Sequence, residues 1–251
     1  MTDLSDLRTL TAGLNAAMYN WSEEGVRKEL NAIMAKDMVV HMCHPFGDMP
    51  GDQYYESVLA KLHFSLPDIE KRPWIIMAGT DDHGDDWVGI AGTYIGTFVK
   101  PFLDIQPTGH LAHMRFHEYY KIKNEKIIEI QAIWDIPELM MQAGAWPMVP
   151  SLGREMFISG PASQDGLSYE TRTETQSAQS LDTVIGMLTN LSRHPAEGGP
   201  EIMQAEKYWD PRVNWYGPAG IGTARGLAGF RQWHQIPFLN ALPDRTGGKT
   251  G

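Results

Sequence analysis

The sequence predicts an α+β fold: a cone-shaped, bent antiparallel sheet packed on N-terminal helices, followed by a partial second copy of the same fold. Three observations predict it. Leucines recur at helical spacing near the N-terminus. Four long runs with strand character follow between residues 72 and 135. A spaced set of residues from the first third of the chain then recurs near the C-terminus.

Each element has its own local signal. Leu4, Leu7, Leu10 and Leu14, continued by Ala17 and Met18, mark a helix over Asp3 to Tyr19. Ser22 is placed to cap a second helix that runs to about Ala35 with Val26, Leu30, Ile33 and Met34 inward. Met38 to His44 is a short apolar strand that ends in a Pro- and Gly-rich loop, and Tyr54 to Phe64 is a third helix. Arg72 to Gly79 and Trp87 to Val99 are strands joined by the charged turn Asp81 to Asp86. Gly89, Gly92 and Gly96 mark bulges or bends in the second of them. Pro137 to Gln142 is a short closing helix stopped at Gly144.

Leu111 to Ile122 and Ile127 to Asp135 form a hairpin around Lys123 to Lys126, where Asn124 tolerates left-handed backbone. Strand alternation puts His113, Arg115, His117 and Tyr119 on one face with Glu129, Gln131, Ile133 and Asp135. A three-residue turn sets His117 opposite Gln131 and His113 opposite Asp135. A two-residue turn sets His117 opposite Ala132 and dissolves that cluster. The three-residue register is preferred, and it would gather two histidines, an arginine, a glutamine and an aspartate on one sheet face.

Three segments emerge from these patterns: a cone domain over residues 1–145, an extended connector over 146–180 rich in Pro, Gly, Ser, Thr and Gln, and a truncated repeat over 181–251. In the repeat, Asp210, Val213, Pro218 and Gly220 match Asp37, Val40, Pro45 and Gly47, and Leu242-Pro243-Asp244 matches Leu66-Pro67-Asp68. Helical patterns at Leu181 to Leu191 and Glu201 to Tyr208 precede the second copy. Nothing after Asp244 corresponds to the long strands, and the tail Thr246 to Gly251 is glycine-rich. The expectation is that the chain is a fragment, or that its second half packs on the first domain or on another subunit.

Composition narrows the function. The 251 residues are 42% hydrophobic and 21% charged, an ordinary globular balance. The net charge of -10 gives no electrostatic reason to bind nucleic acid or an anionic membrane. Cys43 is the single cysteine, so neither an intramolecular disulfide nor a cysteine-based zinc site can form. No run is long enough to span a bilayer and the N-terminus is not signal-like, so a cytoplasmic protein is expected.

Two stretches carry a resemblance. GPAGIGTARGLAGFRQWHQIPFLNALPDR and YYKIKNEKIIEIQAIWDIPELMMQAG resemble the SnoaL-like polyketide cyclase (ester cyclase-like) family, the first its loop and helix, the second its closing hairpin and helix. The resemblance implies a nuclear transport factor 2-like cone, commonly dimeric through its open sheet face. It further implies acid/base catalysis of intramolecular aldol closure by an acidic residue on the last strands with an assisting histidine, and neither a metal nor an organic cofactor. The sequence departs from the family in carrying Glu125 where glycine is usual in the hairpin turn. The family acid corresponds to Asp135 or to Gln131, and in the latter case it is lost. The second copy has no such hairpin.

The expected function is a cyclase or isomerase, without a cofactor, for a hydrophobic enolisable carbonyl compound. The alternative is a non-catalytic ligand-binding or dimerisation module. The partners expected are a small hydrophobic molecule and a second copy of the chain. Asp135 is the candidate acid/base and His117 the assisting donor, since aldol closure needs a base for the α-proton and a donor for the enolate. Asp135 also stands where an N-cap for the Pro137 helix belongs. Substrate-binding candidates are His113, Arg115 and Gln131 on the same face, with Trp134, His44, Trp87 and Tyr94 as pocket residues. His41, His44 and Asp48 suggest a metal only weakly, because His41 and His44 point to opposite strand faces. The Asp81 to Asp86 cluster reads as a solvated hairpin tip. In the second copy, Asn214, Trp215, Tyr216, Trp233 and His234 are pocket-like by resemblance, but serve packing where no sheet covers them.

Overall fold

A computed structural model describes residues 4–168, 173–193 and 199–244. The chain divides into two compact units, residues 1–147 with 159–171 and residues 148–158 with 172–251.

The first unit opens with helices α1 (Leu4–Leu10), α2 (Ala12–Tyr19) and α3 (Glu23–Ile33). The single helix expected over residues 3–19 is broken at Thr11; Asp3 lies outside the described residues. Ser22 caps α3 as expected, its hydroxyl accepting from the Gly25 N–H at 3.1 Å, and Val26, Leu30 and Ile33 face inward. Strand β1 (Met34–Met42) pairs antiparallel with the short β2 (Asp48–Pro50). Next come α4 (Gly51–Tyr54), a π turn (Tyr55–Leu59) and α5 (Ala60–Ser65). This third helix therefore starts three residues before the expected Tyr54.

Strands β3 (Glu70–Thr80), β4 (Asp86–Thr97), β5 (Leu111–Lys123) and β6 (Lys126–Trp134) complete a six-stranded sheet in the order β2-β1-β6-β5-β4-β3. All neighbours are antiparallel except β1 and β6. Helix α6 (Ile136–Gln142) follows. The inner face of the sheet and the helices share one apolar core that includes Met38, Val40, Val58, Leu59, Leu62, Ile90, Phe98, Phe116 and Ile130.

The bulge lies on β3 rather than at the β4 glycines. The β3–β4 register shifts between Pro73 and Ile75, while β4–β5 pairing is continuous from Asp86 to Thr97. Gly92 has a different job. A Cβ there would stand 2.4 Å from the Phe116 ring and 2.6 Å from the Arg72 carbonyl oxygen, so glycine lets the ring approach the backbone closely.

The hairpin register differs from both expectations. Asn124 and Glu125 form a two-residue turn with φ of 51° and 57°, and Lys123 pairs with Lys126. A bulge between Lys121 and Ile122 then shifts the pairing, so His117 faces Ile133 and Tyr119 faces Gln131. The expected faces survive because turn and bulge together offset the register by two residues.

The stretch expected as one extended connector is divided. Within the first unit Gly166 O accepts from Ile76 N at 2.8 Å, satisfying a donor on edge strand β3, and Ser168 O accepts from Arg8 Nη1 at 2.7 Å. Within the second unit Arg154 bridges to Thr223. Helix α7 (Glu174–Leu191) begins seven residues before the expected Leu181, since Thr173 and Gln176 form a capping box.

The second unit continues with two short 3₁₀ turns (Pro200–Met203 and Ala205–Lys207), where one helix was expected. The hairpin β7 (Asn214–Tyr216) and β8 (Thr223–Arg225) leads into α8 (Gly226–Phe230), a π turn (Arg231–Gln235) and α9 (Ile236–Ala241). The expected tail at 246–251 lies outside the described residues. No helix among the described residues is long and apolar enough to cross a membrane.

Candidate active site

The face of β5 that carries Ala112, Met114, Phe116, Tyr120 and Ile122 into the core also carries Glu118. Its carboxylate is fully buried, and four donors converge on it. Tyr94 OH and Trp134 Nε1 donate to Oε1 at 2.8 and 3.0 Å. Lys71 Nζ donates to Oε2 at 2.6 Å, and Tyr120 OH donates to the same oxygen. Lys71 is also fully buried, with its ammonium 5.0 Å from the Phe116 ring centroid. Strand pairing assembles the group: Lys71 lies opposite Tyr94 across β3–β4, and Glu118 lies opposite Ala132 across β5–β6.

A buried charge of this kind is costly unless paired and hydrogen-bonded. Burial pushes the Glu118 pKa up. The Lys71 ammonium and the hydrogen bonds from Lys71, Tyr120 and Tyr94 outweigh it, so the net direction is down and the group stays a carboxylate. Tyr94 and Tyr120 are driven well above the ordinary phenol value, first by burial and then by the Glu118 charge, so both remain O–H donors. Tyr54 shifts the same way for the same two reasons.

Of the residues singled out in the sequence, Tyr94 and Trp134 belong to this cluster. Trp134 packs against Tyr94 at 5.1 Å and against Phe46 at 6.0 Å.

The histidines and Asp135 lie elsewhere, on the opposite sheet face and under α6. Asp135 makes no side-chain cap to α6. Its Oδ2 pairs with Arg115 Nη2 at 3.0 Å, and both side chains are about nine-tenths buried. The Arg115 N–H donates to Glu138 Oε2 at 2.6 Å, and His113 Nδ1 lies 3.3 Å from Glu138 Oε1. His117 sets its ring edge-on to Trp74 at 6.3 Å. That packing draws it partly out of water and, with the Arg115 charge, lowers its pKa. Gln131 is exposed and donates to Glu129 at 2.7 Å. Trp87 donates to Asp81 at 2.9 Å beside the β3–β4 turn, and His44 is exposed in the loop after β1. The structure brings Asp135 to Arg115 and does not bring it to His117.

His41 Nδ1 lies 2.8 Å from Asp48 Oδ1 and its Nε2 lies 3.9 Å from Glu129. Among the described residues no group of three or more His, Cys, Asp or Glu side chains is placed to hold a metal ion.

In the second unit Trp215 stacks on His234 at 5.0 Å, and Trp209 packs edge-on to Phe230 at 4.7 Å. This aromatic cluster lies beside a 170 Å³ hollow. Burial lowers the His234 pKa.

No curated protein matches the chain. Among solved structures, it is similar to AclR, a proposed hydroxylase from Streptomyces galilaeus, at 20% identity and TM-score 0.49, over 59% of this chain and 91% of that one. It is also similar to IdmH, a proposed polyketide cyclase from Streptomyces antibioticus, at 20% identity and TM-score 0.46, over 54% and 96% of the two chains. A third is a proposed SnoaL-like polyketide cyclase from Jannaschia sp. CCS1, at 19% identity and TM-score 0.44, over 57% and 91%. The sequence profile of the SnoaL-like polyketide cyclases matches residues 12–143, more than half of the chain, so the chain belongs to the SnoaL-like polyketide cyclase family.

Proposed function

We propose that the chain is an acid/base catalyst of cyclase or isomerase type for an apolar, enolisable carbonyl compound, with Glu118 as its working carboxylate. The observation that carries this reading is the convergence of Lys71, Tyr94, Tyr120 and Trp134 on one ionised carboxylate inside the cone. Glu118 takes the proton from the carbon next to the carbonyl, and the electron pair moves to the carbonyl oxygen. Tyr94 or Tyr120, kept protonated, donates to that enolate oxygen. The enolate carbon then closes on a second carbonyl within the same molecule, whose oxygen recovers the proton from Glu118. Asp135 and Arg115, paired with each other, support the first part of β5 and the start of α6 in this reading.

A second reading is favoured by one observation: each Glu118 oxygen already accepts two hydrogen bonds. A carboxylate so occupied suits a structural anchor in a ligand-binding module. Deuterium exchange separates the two. The methyl group of 2-acetonaphthone in D2O, followed by NMR, should exchange about 100-fold or more faster with the wild type than with the Lys71→Met/Glu118→Gln double variant. Exchange at the buffer rate with both proteins supports the binding module instead.

We further propose that the chain forms a homodimer through the outer sheet face. Val39, Met77, Tyr119 and Ile133 support this, being apolar side chains left well exposed on that face.

A further inference from the structure

A third tyrosine belongs to the neighbourhood of Glu118 without bonding to it. Tyr54 is the last residue of α4 and only 3% exposed. Helix α4 lies on the inner face of β1. A Cβ on Gly51, its first residue, would stand 2.9 Å from Met38 Cε and 3.0 Å from the Met38 carbonyl oxygen. Met38, Val40 and Met42 are the buried residues of β1; Met42 lies opposite Ala132 on β6, and Ala132 lies opposite Glu118 on β5. Tyr54 is therefore on the side of the sheet that holds the carboxylate. In the π turn that follows, the Ala60 N–H donates to Tyr55 O, five residues back. The wider turn lets Tyr54, Val58, Leu59 and Leu62 all be buried.

The Tyr54 hydroxyl is unengaged. It makes no hydrogen bond among the described residues, yet its oxygen is not one of the sealed interior atoms that lack a partner. The little surface Tyr54 keeps thus includes that oxygen. A hydroxyl in an apolar interior without a partner is unfavourable, and a ligand oxygen would relieve it. Burial and the Glu118 charge keep the phenol protonated. Tyr94 and Tyr120 are placed differently, since each commits its one O–H to Glu118. The second unit offers a comparison. There too a helix runs into a five-residue π turn, and the residue directly before the turn is Phe230. It is buried, and it packs on Trp209 and Trp215 at 4.7 and 5.0 Å. A phenyl ring is enough for packing at such a position. The hydroxyl is found in the unit that holds the carboxylate.

We propose that the Tyr54 hydroxyl is the hydrogen-bond donor that receives the carbonyl oxygen of the compound bound beside Glu118. For catalysis this rests on the reading of Glu118 as the working base. The C–H bond next to the carbonyl breaks toward Glu118, and its electron pair moves to the carbonyl oxygen. Tyr54 keeps its own proton and donates to that oxygen throughout, more strongly once it carries the enolate charge. Tyr94 or Tyr120 can turn to the enolate only after Glu118 has taken its proton.

The test is Tyr54→Phe, which removes one oxygen atom that holds no partner, so the urea unfolding midpoint should not move. Two probes of one shape are titrated: 2-acetonaphthone and 2-isopropenylnaphthalene, in which a CH2 group replaces the carbonyl oxygen. Tyr54→Phe should lower the ratio of ketone to alkene affinity about fivefold, the scale of one neutral hydrogen bond. In deuterium exchange of 2-acetonaphthone it should raise KM by the same factor and lower kcat about 100-fold. A merely structural role would move the unfolding midpoint and not the affinity ratio. A ratio left unchanged by Tyr54→Phe overturns the proposal, as does a wild type that does not bind the ketone. Wild-type exchange at the buffer rate, with a ratio that still falls in Tyr54→Phe, removes the Glu118 reading and upholds Tyr54 as the carbonyl contact.

Discussion

At the scale of single residues, Glu118 carries the account because its neighbours fix both its charge and its position. Removing one member of a buried ion pair strands the other. Glu118→Gln should therefore destabilise the protein by about 3–5 kcal/mol, measured by urea unfolding, and adding Lys71→Met should restore most of that loss. Equal stabilities of the single variant and the wild type would mean that the pair is solvated. Alternation alone places Tyr119 and His117 on one face and Phe116 and Tyr120 on the other, and the structure keeps those faces. Glu118 escapes such a reading because an acid on a strand reads as solvent-facing. The available signal is its place between Phe116 and Tyr120 on an otherwise apolar face. Asp135 draws attention through its closeness to a helix start. Its partner, Arg115, is 20 residues away in sequence, and only the true register brings the two together.

At the scale of elements, the β5–β6 hairpin shows what short-range pattern can and cannot give. Its two strands and their faces are legible from β-branched and aromatic residues. Its register is not, because a two-residue turn and a nearby bulge contribute shifts that alternation cannot count. Glu125 holds φ 57° in that turn, where a side chain is unfavourable. Glu125→Gly should raise stability by about 0.5–1 kcal/mol in thermal or urea unfolding, and a loss would argue for a tertiary contact of the Glu125 side chain. The π turns are not legible either, since no residue type marks them. Both are placed alike: Gly51 and Gly226 each open a helix that passes through a π turn and ends at Leu-Pro-Asp. A Cβ on Gly51 would lie 3.0 Å from the Met38 carbonyl oxygen, and one on Gly226 would lie 3.3 Å from that of Pro211. Met38 and Pro211 come directly after the matched residues Asp37 and Asp210. We infer from this shared close approach that the second unit repeats the first hairpin and helix of the cone.

At the scale of the whole molecule, the order of periodic segments is enough to reach the α+β class, because a curved sheet over helices needs only the right sequence of such segments; the family is reached instead through the two stretches that resemble its members. Assembly needs exposure to be known. Ile133 is 65% exposed on the outer sheet face and Met77 54%, which alternation does not distinguish from covered residues. If the outer faces of two copies meet, sedimentation equilibrium at micromolar concentration should give twice the chain mass of 28.1 kDa, and Ile133→Glu should shift it toward monomer. A wild-type monomer under those conditions would remove the dimer proposal.

The central claim, that the interior carboxylate and not the outer histidine does the chemistry, is tested most directly by the pH profile of 2-acetonaphthone deuteration with wild-type protein. The base must be unprotonated to act. Glu118 is held below its ordinary 4.5, so the enzyme-catalysed rate should be flat through neutrality and should fall only in acid, as pH drops through that lowered pKa. A rate that instead falls in the range where histidines gain their proton, His117 being held somewhat below the ordinary imidazole value by burial and the Arg115 charge, would contradict the account and return the catalytic role to the outer face.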